Sequence, residues 1–313
     1  MIAYNMERYI GEALDSVLMQ EVDFDYEIVI GEDRSTDGTR EIVLDYAARF
    51  PDRVRPILRD TNLGMNRNFR ETLLAARGRF IALLDSDDYW TRPDKLRTQM
   101  EFLRAHPECS ICFHNTLVVY QDGSRPTHPF HMAQPDTLIS HRIPKPISTL
   151  EDLVGGNFMQ TCSVMFRAGL YGELPAWYLD MPTFDWPLHL LNAEHGAIGY
   201  IDEIMGAYRV HQSGFWSMNM ALYRRSSDVE SMIRGYQLVD AYTAGRYHAT
   251  IASQLVPLYH RAAEVLLTEG RRLAALRYAI KALVNGARAS GGERRRSLSL
   301  AARSLAPRIG AKR

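Results

Sequence analysis

No stretch of the 313 residues approaches the roughly 18 uninterrupted apolar residues of a membrane-crossing helix, so no span is predicted. The first residues lead straight into patterned structure, and no secretory leader is expected. Cysteine is scarce. Three residues, Cys109, Cys112 and Cys162, exclude a disulfide framework and suit a reducing, cytoplasmic compartment. Cys109 and Cys112 have CxxC spacing with His114 nearby, but a zinc site needs a second pair and a redox pair opens a helix. Here the pair enters an apolar run ending at Tyr120, so buried free thiols are expected. Net charge is also missing, because 37 basic residues offset 37 acidic ones, and nothing in that balance calls for nucleic acid. Neither GxGxxG nor GxxxxGK[ST] occurs, which argues against dinucleotide oxidoreductases and P-loop enzymes. Without a glycine-rich cradle, any diphosphate must be held mainly through a metal.

What is present is an ordinary globular composition, 46% hydrophobic and 24% charged. Met1 to Tyr4 reads as the end of a buried strand whose first few residues are missing. Ile10, Ala13, Leu14, Val17 and Leu18 fall on one helical face. Glu27–Ile30, Val54–Leu58 and Phe80–Leu84 read as strands, with helical faces over Ile42–Phe50 and Phe69–Ala76. Strands alternating with helices predict an α/β fold with a mostly parallel sheet, whose ligands bind beyond the strands' carboxyl ends. Polar clusters stand at three such ends: Tyr4-Asn5, Glu32-Asp33 and Asp85 to Asp88.

Farther on, 121–150 is rich in Pro and His and reads as a long loop. Cys162–Arg167 reads as a strand, Trp186–His195 as a helix, and Ile198–Tyr200 with Ile204–Val210 as a strand pair. Beyond Trp216 the chain turns helical, and Tyr259 to Ala287 resembles one helical hairpin of the tetratricopeptide kind. The expected domains are 1–218, divided into a nucleotide half (1–90) and an acceptor half (91–218), and a helical extension over 219–313. From Arg288 onward, eight basic residues face one acidic residue. That tail reads either as a frayed solvated end or as a contact with an anionic membrane surface.

Asp85-Ser86-Asp87-Asp88 is the strongest chemical signal. Three carboxylates at a strand end repel one another unless a cation compensates them, and hard oxygen ligands suit Mn²⁺ or Mg²⁺. The residues alone also allow a solvated acidic turn, or caps for the helix starting near Arg92-Pro93. Asp185, followed by Trp186-Pro187, reads locally as a helix N-cap with Pro in the first turn.

Five ordered blocks then resemble the family 2 glycosyltransferases: Met1–Asn5, Glu27–Asp33, Ser35–Thr39, Asn62–Gly64 and Leu84–Asp88. The resemblance covers roughly residues 1–218 and implies the GT-A fold. It implies a nucleoside-diphosphate sugar donor, UDP by default, and a hydroxyl acceptor on a glycan or lipid-linked glycan. Inversion at the anomeric carbon follows from the same likeness. By position, Ala3, Tyr4 and Asn5 would line the base pocket, and Asp33 would hold the nucleoside. Asp85 and Asp87 would form the DxD motif, with Asp87 on the metal and Asp85 nearer the ribose, and Asp88 would extend the cluster. Glu32-Asp33-Arg34 departs from the usual pair of aspartates followed by a small residue, but Glu32 keeps the charge. Asp185 would be the general base, a role compatible with capping. His211 would join the metal, bind the diphosphate or anchor a lid. His114, Asn157 and Trp186 would lie on the acceptor side, with Gly155, Gly156, Gln160 and Thr161 in an acceptor loop. Trp90, Trp186 and Trp216 would either stack on sugars or pack the core. Two rivals remain: a catalytically inactive scaffold of this fold, and a sugar nucleotidyltransferase. The second needs a glycine-rich basic first loop, which Tyr4-Asn5-Met6-Glu7 is not.

Overall fold

The computed structural model describes residues 1–133, 141–212, 214, 225–286 and 291–305. It divides into two compact units. One holds 1–153, 157–179 and 183–214, and the other holds 154–156, 180–182 and the described residues from 225 onward.

The first unit opens with strand β1 (Ile2–Ala3), helix α1 (Ile10–Leu18), β2 (Ile28–Glu32), α2 (Thr39–Arg49) and β3 (Val54–Leu58). The three strands pair in parallel in the order β1-β2-β3. Helix α3 (Met65–Ala75) leads to β4 (Phe80–Ala82), the Asp85–Asp88 loop, β5 (Tyr89–Trp90) and α4 (Lys95–Ala105). Apolar residues at helical spacing bury Ile10, Ala13, Leu14 and Val17 against β-branched strand residues such as Ile28 and Ile30.

A second sheet is built on two long neighbours, β6 (Cys109–Tyr120) and β12 (Ala197–Val210), which run parallel. β11 (Met165–Arg167) lies antiparallel between β6 and β4, and β5 lies antiparallel against β12. The parallel arrangement expected from the sequence therefore holds for the first sheet, while the second is mixed. The expected strand pair near Ile198 and Ile204 is one strand, β12. Its register shifts between Ile201 and Ile204, so the exposed Asp202-Glu203 bulge mimics a turn in sequence. The expected strand at Cys162 begins instead as a 3₁₀ turn over Thr161–Ser163.

The 121–150 segment also carries more structure than its sequence suggests. Strands β7 (His128–Pro129), β8 (His131–Met132), β9 (His141–Arg142) and β10 (Ile147–Ser148) are each two residues long, too short to leave a period. The side chain of Asn115 adds a tie, donating to the His131 carbonyl and accepting the His131 N–H. Residues 134–140 lie outside the described residues. Helices α5 (Leu150–Val154) and α6 (Asp185–Ala193) follow these strands.

All three cysteines are free and buried, as expected. Near them lies a group that the sequence did not announce. Lys95 is fully buried, and its ammonium stands 3.7 Å from the Trp90 ring centroid. It has no hydrogen-bond partner among the described residues. Burial pushes this amine down to about 7, against the partial support of Cys112 and Cys162. The unfolded chain holds the proton up to about pH 10.4, so stability rises with pH between about 7 and 10. Lys95→Met is expected to remove that slope and to raise stability at pH 6 by roughly 2–4 kcal/mol. Urea denaturation at pH 6 and pH 9 checks both effects.

The second unit contains helices α7 (Ser226–Tyr242), α8 (His248–Thr268), α9 (Arg272–Asn285) and α10 (Gly291–Leu305). α8 and α9 form the hairpin expected from Tyr259 onward, packed around Ala263, Leu266, Ala275, Ala279 and Leu300. The basic tail is helical over α10 rather than frayed, because Leu300 and Ser297 are buried on one face. Arg288 and residues 306–313 lie outside the described residues.

Candidate active site

The Asp85–Asp88 loop is fixed by the residues that follow it. Trp90 donates its backbone N–H to Ser16 Oγ on α1 (3.0 Å) and its indole N–H to the Cys162 carbonyl (2.9 Å). Gln20, just past α1, donates to the Arg92 carbonyl and accepts the Leu96 N–H at the start of α4. The carboxylates are thus presented on a loop tied to α1, β12 and the turn before β11.

The three aspartates divide their work. Asp88 faces inward at 1% exposure. It accepts the Arg209 N–H (2.8 Å) and a hydrogen bond from the Cys162 thiol. Asp88 stays within reach of the charges of Asp87 and Asp85, but from a buried position in which it anchors the loop to β12. Burial, then Asp87 and Asp85, hold its carboxyl well above the usual range. Asp87 lies 3.0 Å from His211 Nε2 through Oδ2, and the His211 ring packs on Tyr9 at 4.4 Å between centroids. Asp85 is pushed up to about 8 by burial, by Asp87 and by Asp185, with a Thr161 hydrogen bond acting in the other direction. Asp185 thus acts electrostatically on Asp85, although the two are far apart in sequence.

Mn²⁺ or Mg²⁺ fits this donor set. Burial and mutual repulsion raise the Asp85 and Asp88 carboxyls, which is the condition that a hard cation relieves. Among the described residues no three His, Cys, Asp or Glu side chains converge on one point. A cation there would take Asp85 and Asp87 from the chain, and His211 if Nε2 gave up its bond to Asp87. Water and phosphate would supply the remaining ligands, as Mg²⁺ sites commonly require.

The nucleotide-side candidates stand at the ends of β1 and β2. Ala3 is buried and its carbonyl accepts the Asp33 N–H (2.9 Å), while Tyr4 and Asn5 are exposed. Asn5 adopts φ 56°, a left-handed conformation that Asn tolerates, and its side chain accepts the Thr36 N–H (2.8 Å). Glu32 is wholly buried, paired with Arg40 and accepting the Ser35 N–H (2.6 Å). Asp33 accepts the backbone N–H groups of Leu63 (2.7 Å) and Gly64 (3.0 Å). The Asn62-Leu63-Gly64 block is thereby folded onto Asp33. Asp33→Asn turns one acceptor into a donor that faces an N–H, and is expected to destabilise the fold by about 1–3 kcal/mol in urea denaturation.

On the acceptor side, Asp185 is the first residue of α6. The N-cap position belongs to Phe184, and no side chain caps it. The N-cap reading of Asp185 is therefore corrected. Its Oδ2 accepts the Asn157 amide N–H at 3.0 Å. Asn157 thus acts on the carboxylate itself, a link that the sequence analysis had not drawn. Trp186 is buried and donates its indole N–H to the Leu153 carbonyl (3.1 Å), and Trp90 is buried against Lys95. Neither indole offers a face to a sugar, so of the two roles expected for these tryptophans, core packing is the one both take. Trp216 lies outside the described residues. His114 is also wholly buried, and its Nδ1 lies 2.7 Å from the Asn115 carbonyl. Burial holds its imidazole far below the usual histidine range, which leaves it neutral in the core rather than facing an acceptor.

Arg209 escaped the sequence analysis as a structural centre. Its guanidinium lies over Tyr89 (4.5 Å) and Tyr9 (5.3 Å) and pairs with Glu12. The only sequence signal was its place in Tyr208-Arg209-Val210-His211, at the end of a strand.

The sequence profile described as Glycosyl transferase family 2 matches residues 1–174. A Mycobacterium tuberculosis protein of uncharacterised function is 41% identical over 216 residues, 69% of this chain and 59% of the relative. The chain therefore spans about 59% of the length of that curated relative. Among solved structures, S. aureus TarS 1–349 in complex with UDP-GlcNAc aligns with a TM-score of 0.53 at 17% identity, over 95% of this chain and 89% of that one. The mannosyltransferase PcManGT from Pyrobaculum calidifontis, in complex with GDP-Man and Mn²⁺, gives 0.54 at 17% identity, over 96% and 77%. At such identities the likeness shows the fold, which is the GT-A fold.

Proposed function

The chain belongs to glycosyltransferase family 2, and we propose that it transfers a sugar from a nucleoside diphosphate to a hydroxyl of a glycan or lipid-linked acceptor. The observation that carries this reading is the electrostatic action of Asp185 on Asp85, which stands among the causes that raise the Asp85 carboxyl. It links a candidate proton acceptor to a candidate diphosphate site. Ala3, Tyr4, Asn5 and Asp33 bound the nucleoside side, at the ends of β1 and β2. UDP is the default nucleotide, and the UDP-GlcNAc and GDP-Man complexes of TarS and PcManGT support a nucleotide-sugar donor.

A divalent cation on Asp85 and Asp87 would supply positive charge to the diphosphate as it leaves. The chain's own chemistry is proton removal. Asp185, oriented by Asn157, takes the proton of the acceptor hydroxyl as its oxygen bonds the anomeric carbon. The bond from that carbon to the diphosphate oxygen breaks, and the electron pair leaves with the diphosphate. Attack in line with the departing bond inverts the anomeric centre.

None of the described helices is long and apolar enough to cross a membrane. The proposed location is the cytoplasmic side, with peripheral contact at the inner face. Exposed Arg294, Arg295 and Arg303 on α10, near exposed Leu298 and Leu305, support contact with an anionic surface.

The test is turnover of UDP- and GDP-sugars with Mn²⁺ and a panel of glycan and lipid-linked acceptors. Nucleoside diphosphate release is followed together with the anomeric coupling of the product. Acceptor-dependent release with an inverted product is expected. A retained anomer would overturn the Asp185 mechanism, and incorporation of the nucleotide into the product would overturn transfer of the sugar alone.

A further inference from the structure

Helix α9 buries its small side chains and exposes its large ones. Its buried residues are Ala275, Ala279 and Ala282, while Leu273, Ile280 and Val284 are exposed. The exposed three fall at i, i+7 and i+11, so they form one stripe on the face opposite the alanines. Leu273 at 78% and Val284 at 70%, with Leu305 of α10 at 69%, are the most exposed large hydrophobic residues among those described. Single surface aliphatics need no explanation, but a stripe of them marks a contact.

The charge around the stripe has one sign. α9 contains no acidic residue, and α10 contains one, the half-buried Glu293. Arg277 and Lys281 are exposed on α9, as are Arg294, Arg295 and Arg303 on α10. The nearest acids are already engaged: Glu264 pairs with Arg261 and Arg296, and Glu269 with Arg271. Arg272 ties the start of α9 to the end of α10 by donating to the Arg303 and Ser304 carbonyls. Leu273 and Leu305 follow directly, so exposed leucines of both helices stand at that junction. A second copy would set this basic face against itself across a symmetric contact, with like charges opposed. Protein interfaces favour aromatic anchors and disfavour lysine, whereas this stripe is aliphatic and flanked by arginine and lysine. Such a face is the pattern of a helix lying in a lipid interface, where long basic side chains extend to the headgroups.

We propose that the outer face of α9 lies in the surface of an anionic phospholipid bilayer, with Leu273, Ile280 and Val284 inserted among the acyl chains. Arg277 and Lys281 reach the headgroup phosphates from the rim of the stripe, and the arginines of α10 add longer-range attraction. This deepens the proposed peripheral contact and rests on that reading of the location. Charge on α10 alone would give an attraction that salt screens, whereas inserted side chains give a component that salt does not weaken. A chain held at the bilayer shares a thin layer with a lipid-linked acceptor, which raises the frequency of their encounter.

The test is co-sedimentation of the full chain with vesicles of phosphatidylcholine, alone or mixed equally with phosphatidylglycerol. It involves no sugar transfer, so a failure of the proposed reaction would leave its result intact. Binding is expected only with phosphatidylglycerol, with a part that persists in high salt. Leu273→Ser combined with Val284→Ser should remove that part. Arg277→Glu combined with Lys281→Glu should weaken total binding by at least about tenfold. All four side chains are exposed, so both variants should keep the parent's thermal midpoint. A fluorophore attached at Val284→Cys should shift its emission to the blue on the same vesicles; the three native cysteines are buried and stay unlabelled. Binding that the serine variant keeps in full at high salt would overturn the proposal. So would a dimer of the parent that the serine variant loses, which would assign the face to a second copy. Absence of any binding by the parent would overturn it too and leave the stripe to a protein partner.

Discussion

Asp185→Asn is expected to lower sugar transfer by roughly 10²–10⁴-fold while nucleotide affinity stays within a few fold. The amide keeps the size of the side chain and can still accept the Asn157 hydrogen bond through its oxygen. What it loses is the capacity to take a proton. Because Asp185 is not an N-cap and its carboxylate is held by a side chain, helix stability should change little. The drop should fall on kcat with KM nearly unchanged, the pattern of an interaction made in the transition state. A purely structural role would instead lower the melting temperature in parallel with activity. Asn157→Ala extends the same reasoning. It frees the carboxylate without removing it, so a smaller loss is expected.

Asp87→Asn should have an effect of comparable size by a different route. Loss of one of two chain-supplied carboxylates is expected to reduce kcat/KM by about 10³-fold, equivalent to about 4 kcal/mol. Unlike Asp185→Asn, it should also abolish any dependence of nucleotide binding on Mn²⁺. The metal-free protein should not lose stability, because the substitution removes a charge that raises both Asp85 and Asp88. In the variant the Asp85 carboxyl should titrate lower than in the parent, which carboxylate NMR shifts against pH would register. An Asp87→Asn protein that unfolds would show that the His211 contact, rather than the charge, is what matters.

The first half of the fold was legible where its helices and strands are long enough to show a period. α1 carries apolar residues on one face from Ile10 to Leu18, β2 is a short buried run, and β3 is a short run buried at Val54 and exposed at Leu58. The middle was not legible, since two-residue strands such as β7 and β8 leave no pattern and depend on partners such as Asn115. The bulge in β12 misled for a related reason: an exposed Asp202-Glu203 pair looks like a turn whether or not the strand continues. Within the candidate site, the residue types were visible but their orientations were not. Asp85, Asp87 and Asp88 are near neighbours in sequence, yet Asp88 turns inward to Arg209 and Cys162. The tryptophans offered aromatic faces on paper, but burial removed them at Trp90 and Trp186. Lys95 and Arg209 carry their roles through contacts with distant residues, which no local pattern encodes.

The most direct test of the central claim, a metal-assisted nucleotide-sugar site built on Asp85 and Asp87, is thermal unfolding against a panel of nucleoside diphosphates with and without Mn²⁺. A nucleotide at about 100 times its dissociation constant should stabilise the fold by about 2.7 kcal/mol, a shift of several degrees. The account predicts that one base stabilises, that it does so only with Mn²⁺, and that Asp87→Asn removes the effect. Equal melting temperatures with and without every nucleotide in saturating Mn²⁺ would contradict it.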